Sequence, residues 1–216
     1  MKLWDDVDRY LTDTVVQPDA ALQAALDASD AAGLPQISVS AAHGKLLQLL
    51  ARLVGARRIL EVGTLGGYST IWLARALPAD GRLISLEALE RHAAVARSNI
   101  AGAGLSHLVE IRVGQALDTL PSVEGPMDLT FIDADKQNNA EYFRWALKLS
   151  RPGSVIVVDN VVREGAVIRA ESRDAAVQGV RRLFELIAAE PRVSASAIQT
   201  VGAKGYDGFA VALVTA

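Results

Sequence analysis

The opening stretch of the chain places apolar residues with the period of a helix. Leu3, Val7, Tyr10, Leu11 and Thr14 fall on one face, and Pro18 ends that run or opens the next. A second helix is predicted from Ala20 to Ala32, stopped by Gly33 and Pro35. Gln36-Ile37-Ser38-Val39 reads as short and extended. Ser40 suits the N-cap of a third helix, whose buried face carries Leu46, Leu47, Leu49, Leu50, Leu53 and Val54.

From residue 58 the period changes. Short, nearly unbroken apolar runs appear at 58–63, 82–87, 109–113, 127–132 and 154–158, and helical patterns at 71–77, 89–103 and 140–149 lie between them. Strands alternating with helices imply βαβ units and a parallel sheet, and continuous apolar strands imply helices on both faces. After a helix over 177–189, strands at 193–200 and 208–214 flank a short turn, so they pair antiparallel. The predicted fold is α/β: a Rossmann-like, doubly wound, mostly parallel seven-stranded sheet with a C-terminal antiparallel hairpin and N-terminal helices. With 216 residues, the chain is read as a single domain, 1–216, with the N-terminal helices over 1–54 and the sheet core over 58–216.

Composition narrows the chemistry. Half the residues are apolar and cysteine is absent, which excludes a disulfide scaffold, a thiolate zinc site, an iron–sulfur cluster and a cysteine nucleophile. A net charge of −3 gives no long-range field to draw nucleic acid to the surface. The basic pairs Arg57-Arg58 and Arg181-Arg182 read as solvated faces, and Trp4, Trp72 and Trp145 as core or interface. The acidic start does not suit a signal or transit peptide, and no apolar run approaches the 18 or more residues of a membrane span. The expectation is a cytoplasmic protein.

Ligands of open α/β sheets lie beyond the carboxyl ends of the strands, where strand order reverses. The loop after the first strand reads Glu61-Val62-Gly63-Thr64-Leu65-Gly66-Gly67-Tyr68-Ser69. It is not the dinucleotide fingerprint, because Leu65 stands where that pattern needs its second glycine. The same sheet type carries nucleosides without a pyrophosphate, S-adenosylmethionine among them. Glu61 could meet the methionine amino group of such a ligand. Glu87, at the end of the second strand, could accept two ribose hydroxyls.

Asp133 and Asp135 end the fourth strand and Asp159-Asn160 ends the fifth. If these strands are neighbours their ends converge, and two carboxylates with a carboxamide make an all-oxygen site suited to Mg²⁺, Ca²⁺ or Mn²⁺. Lys136 follows Asp133 by three residues. The plainer alternative is that the acids cap helices, Asn160 makes a turn and Lys136 is solvated. His43, His92 and His107 show no partner in the sequence.

These motifs resemble those of the class I, metal-dependent S-adenosylmethionine O-methyltransferases, which include catechol and caffeoyl-CoA O-methyltransferases. Three segments carry the resemblance, in order and spacing over about residues 36–165: the loop 61–69, Phe131-Ile132-Asp133-Ala134-Asp135-Lys136, and Asp159-Asn160-Val161. The resemblance implies that Asp133, Asp159 and Asn160 bind a divalent cation, usually Mg²⁺. It implies Lys136 as general base, with Asp133 beside it, and Val39, Glu61, Gly63, Thr64, Ser69, Glu87 and Ala116 lining the cofactor, which Asp133 also touches. It further implies a small hydroxylated aromatic acceptor of the vicinal-diphenol type and a homodimer. The chain departs from the family at Gln115, at Val162-Arg163 and in the loop 201–208, the last two where a substrate is shaped. Two other activities fit the same residues: methylation of a hydroxylated tRNA base, and cofactor binding without catalysis.

Overall fold

The computed structural model describes residues 3–216, so the first two positions of the predicted helical segment lie outside the described residues. Helix α1 spans Leu3–Leu11, α2 Ala20–Ala31 and α3 Ala41–Leu53. The predicted first helix is interrupted: Thr12–Val16 winds as a wider π-helical turn, and Gln17, with φ 49°, ends it. Asp19 then caps α2, its side chain accepting the Leu22 N–H. Ser40 caps α3 by accepting the His43 N–H at 3.2 Å, as its position predicted.

The sheet comprises β1 (Arg58–Val62), β2 (Arg82–Glu87), β3 (Val109–Val113), β4 (Met127–Ile132), β5 (Ser150–Asp159), β6 (Val193–Gly202) and β7 (Gly205–Val214). Between them run α4 (Tyr68–Ala74), α5 (Glu90–Gly102), α6 (Ala116–Thr119), α7 (Asn139–Lys148) and α8 (Ala175–Ala189). The strand order is β3-β2-β1-β4-β5-β7-β6. All neighbours are parallel except β5 with β7 and β6 with β7. This is the predicted seven-stranded architecture with its antiparallel hairpin. Two details differ. The helix expected from Ile71 begins at Tyr68, and the turn of helix α6 has no periodic apolar signal at four residues.

Strand alternation splits the core into two layers. Leu60, Val62, Ile132, Ile156 and Val158 pack with α7 and α8 on one face. Ile59, Leu83, Leu129, Phe131 and Val157 pack with α3, α4 and α5 on the other. Phe131 and Phe143 are the largest side chains with no exposure, each contributing roughly 1.5–3 kcal/mol of transfer free energy. Strand order reverses between β1 and β4, so the carboxyl ends of those two strands bound the crevice in which such sheets hold ligands. Gly63 is required there. A Cβ on it would lie 2.5 Å from the Asp133 carbonyl oxygen, and its φ of 101° disfavours any L side chain.

Candidate functional site

Two cavities meet at that crevice. The first, of about 700 Å³, lies over the glycine loop and is lined by Val39, Gly63, Thr64, Ser69, Glu87, Ala116, Asp133 and Lys136, among others. The second, of about 590 Å³, lies between α3 and the β6–β7 hairpin and takes in His43, Asp159, Asp207 and Phe209. Asn160, Val39 and Arg163 line both. The residues singled out in the sequence therefore converge, with one qualification: Glu61 lines neither cavity.

Glu61 has no exposed surface. Its Oε1 accepts the Ser69 hydroxyl at 2.6 Å, and its Oε2 accepts the hydroxyls of Thr70 at 2.5 Å and Ser85 at 2.6 Å. Burial pushes its carboxyl up to about 7 against the pull of those hydroxyls, and the charge of Asp133 adds to the rise. Ser69, which does line the first cavity, is thus the group through which this acid reaches it.

Glu87 holds the loop from the next strand. Its Oε2 accepts the N–H groups of Thr64 at 3.2 Å and Leu65 at 2.8 Å, and its Oε1 accepts the Leu89 N–H at 3.1 Å. Leu65 sits at φ 50°, a conformation that this pair of bonds fixes. His92 Nδ1 stands 3.3 Å from the same Oε1.

At the end of β4, Lys136 Nζ lies 2.6 Å from Asp133 Oδ1 in a largely buried ion pair. At the end of β5, Asp159 Oδ1 accepts the Asn160 N–H at 2.8 Å, and Asn160 takes φ 56°. Burial and then the charge of Asp133 push the Asp159 carboxyl up to about 7, although Lys136 pulls the other way. Two carboxylates thus lie at the carboxyl ends of the neighbouring strands β4 and β5, and Lys136 pairs with one of them, Asp133. Neither Asp133 nor Asp159 caps a helix.

Sequence reasoning left the histidines without partners, and the structure corrects this for two of them. His92 faces Glu87. His43, in the first turn of α3, has its Nδ1 3.6 Å from Asp159 Oδ2. Its ring stacks on Phe209 at 5.0 Å and meets the edge of Phe131 at 6.2 Å. Burial holds its imidazole below the usual range, so it stands neutral beside the acid. Sequence reasoning also gave no role to Asp207. Its Oδ1 accepts the N–H groups of Val162, Arg163 and Gly208, clamping the loop after β5 to the hairpin.

The donor set Asp133, Asp159 and Asn160 is all oxygen, which suits a hard divalent cation. Among the described residues, no three His, Cys, Asp or Glu side chains form a metal cluster. Among the same residues, no helix is long and apolar enough to cross a membrane.

Comparison with known proteins fits this geometry. The family model described as O-methyltransferase matches residues 14–211. A catechol O-methyltransferase of Mycobacterium tuberculosis is 57% identical over 97% of this chain and 95% of its own length. One from Niastella koreensis is 52% identical over 99% and 98%. Among solved structures, the O-methyltransferase of Bacillus cereus in complex with SAH superposes with a TM-score of 0.96 at 59% identity, covering 98% of each chain. TomG of Streptomyces achromogenes, an O-methyltransferase involved in tomaymycin synthesis and solved with SAM, gives 0.97 at 55% identity over the whole of both chains. With its fold, its motifs and nearly its whole length matched in this way, the chain belongs to the O-methyltransferase family.

Proposed function

We propose that this S-adenosylmethionine-dependent O-methyltransferase methylates one hydroxyl of a small vicinal diphenol with the help of a divalent cation. One observation carries the reading. The glycine-loop cavity, lined by Asp133 and Lys136, and the second cavity, lined by Asp159, share Asn160 in their walls. A methyl donor in the first cavity and an acceptor in the second would therefore meet beside a base.

The donor lies over Gly63, Thr64 and Ser69, with its nucleoside toward Glu87 and Ala116. The Oε2 of Glu87 is committed to the loop, so a ribose hydroxyl exchanges with His92 at Oε1. Asp133, Asp159 and Asn160 would hold the cation, which when bound favours the deprotonated form of a chelating hydroxyl. A phenol has a pKa near 10, so at neutral pH its proton must be taken. Lys136 Nζ would receive it in its uncharged form, with the cation in place of its ammonium charge beside Asp133, and the acceptor oxygen then attacks the methyl carbon. The carbon–sulfur bond breaks with its electron pair going to sulfur, and the sulfonium becomes a neutral thioether. His43, stacked on Phe209, packs beside the Asp159 carboxylate.

The test is methyl transfer from S-adenosylmethionine to catechol with Mg²⁺, with EDTA, and in Asp159→Ala. Transfer is expected only in the first condition with the unaltered chain. Transfer that survives both EDTA and the substitution refutes the role of the cation.

We also propose a homodimer. Helix α1 leaves Leu3, Val7, Tyr10 and Leu11 exposed beside Ile198 and Val201 of β6, and Asp8 ties α1 to the hairpin through the Ala203 N–H at 2.7 Å. Light scattering should give the mass of two chains.

A further inference from the structure

The loop after β5 carries a cation with unused hydrogen-bonding capacity. Arg163 lies three residues beyond Asn160, and both line the two cavities. Asn160, Arg163 and Glu164 hold φ values of 56°, 54° and 54°. Non-glycine residues seldom adopt this region, and clusters of them occur where a loop is held for function. The clamp by Asp207 Oδ1 is what holds them, so the hairpin fixes the point from which the guanidinium projects.

The guanidinium itself is not spent on that clamp. Its Nη1 stands 3.8 Å from Asp207 Oδ2, beyond hydrogen-bond range, and its Nε is buried with no hydrogen-bond partner. A buried N–H without an acceptor is costly, and more so on a charged group. Asp207 Oδ2 forms an ion pair with the guanidinium without a hydrogen bond, and the other neighbouring charges are engaged elsewhere or face solvent. Asp8 accepts the Ala203 N–H, Lys204 donates to the Gln36 carbonyl at 3.3 Å, and Glu164 is exposed. Asp159 belongs to the cation set proposed above.

We infer that Arg163 binds a carboxylate on the methyl acceptor, and that the preferred acceptor is a vicinal diphenol bearing an anionic carboxylate rather than a neutral diphenol. This rests on the diphenol reading above and narrows it to a substrate class. The paired N–H groups of a guanidinium match the two oxygens of a carboxylate, a geometry that lysine cannot reproduce. At about 590 Å³ the second cavity holds more than a bare diphenol ring, and Ile37, Leu46 and Phe209 wall the ring itself.

The experiment compares kcat/KM for 3,4-dihydroxybenzoate and for catechol, at saturating S-adenosylmethionine and Mg²⁺, in the unaltered enzyme, Arg163→Leu and Arg163→Lys. The unaltered enzyme should prefer the acid by tenfold or more. In Arg163→Leu the ratio of the two kcat/KM values should fall at least tenfold, through the KM of the acid, with Arg163→Lys between. An unchanged ratio overturns the inference. So does a loss shared equally by both diphenols, or one expressed as a raised KM for S-adenosylmethionine, which would assign the arginine to the donor. If the unaltered enzyme methylates neither compound, the diphenol reading fails, and calorimetric titration of 3,4-dihydroxybenzoate into the protein with S-adenosylhomocysteine decides the arginine separately. Binding weakened tenfold by Arg163→Leu supports the carboxylate site, whereas equal binding or none in both proteins overturns it.

Discussion

The turn that carries Lys136 is packed against a glycine of α8. Gly179, buried in the second turn of α8, packs directly on the turn that carries the lysine. A Cβ at Gly179 would lie 2.1 Å from the Lys136 carbonyl oxygen and 2.6 Å from the Gln137 Cα. Ordinary contact begins at 3.4 Å, so Gly179→Ala must open that gap by about 1.3 Å, and the obstructing atoms are backbone that no rotamer change can move aside. Overpacking of this kind costs about 1–3 kcal/mol, offset by up to about 1 kcal/mol from the better helix propensity of alanine. With the full offset the net loss is at most about 2 kcal/mol, which corresponds to up to roughly 8 °C in Tm for a chain of this length.

The kinetic effect separates this from a plain packing defect. Displacing a catalytic group by about 1 Å costs on the order of 100-fold, so kcat for catechol methylation should fall about 10- to 100-fold. The Kd for S-adenosylhomocysteine by calorimetry should change by less than kcat does, because the displaced Lys136 and Gln137 form one part of the wall of the donor cavity while Gly63, Thr64 and Glu87 stay in place. Gly102→Ala, at the end of α5 with no atom within 4 Å of the added Cβ, is the matched control and should leave kcat alone. A Gly179→Ala protein with lowered Tm but unchanged kcat would refute the reasoning. It would show that α8 yields and the lysine turn does not.

Three further outcomes follow from the same geometry. The Glu61 carboxyl, pushed up to about 7 from an unfolded value of 4.5, binds its proton more tightly folded than unfolded. Its contribution is therefore full below about pH 4.5 and is lost as pH rises to about 7, on the order of 3 kcal/mol by linkage, and denaturation of Glu61→Gln should show a shallower slope across that window. Gly63→Ala places a Cβ against the Asp133 carbonyl at a positive φ, and should raise the Kd for S-adenosylhomocysteine at least tenfold. Asp19→Ala removes both the α2 cap and the 2.7 Å ion pair to Arg75, and should cost about 1 kcal/mol, read as a Tm lower by roughly 2–4 °C with kcat unchanged.

What could be read in the sequence was what is local. The strands of the sheet interior are apolar on both faces, so β1, β2, β4 and β5 announced themselves as unbroken runs. Ser40 and the glycine loop follow short-range rules of capping and backbone freedom. The start of α4 was misplaced because Tyr68 to Thr70 follow two glycines and read as loop, although Gly67 at φ 81° is what turns the chain into the helix. The contacts of His43 with Asp159, and of Asp207 with the loop after β5, join segments far apart in the chain and have no periodic signal. The same holds for Gly179. A glycine in the middle of a helix looks like a weakness until the neighbouring backbone is known.

The placement of the acids explains why the site is costly to the bare chain and rewarding to its ligands. Glu61, Asp133 and Asp159 lie at the carboxyl ends of adjacent strands β1, β4 and β5, and Lys136 pairs with Asp133. Two of these carboxyls are pushed up to about 7, with burial the largest cause and the charge of Asp133 the next contributor for Asp159. At neutral pH the fold therefore holds negative charge that it would release by taking up protons. A ligand with positive charge removes the same penalty, and by mass action it stabilises only the folded state. A sulfonium donor in the first cavity and a divalent cation at Asp133, Asp159 and Asn160 would both do so. Their stabilising effects on Tm should then fall short of the sum expected of independent sites, since each neutralises carboxylates that attract the other.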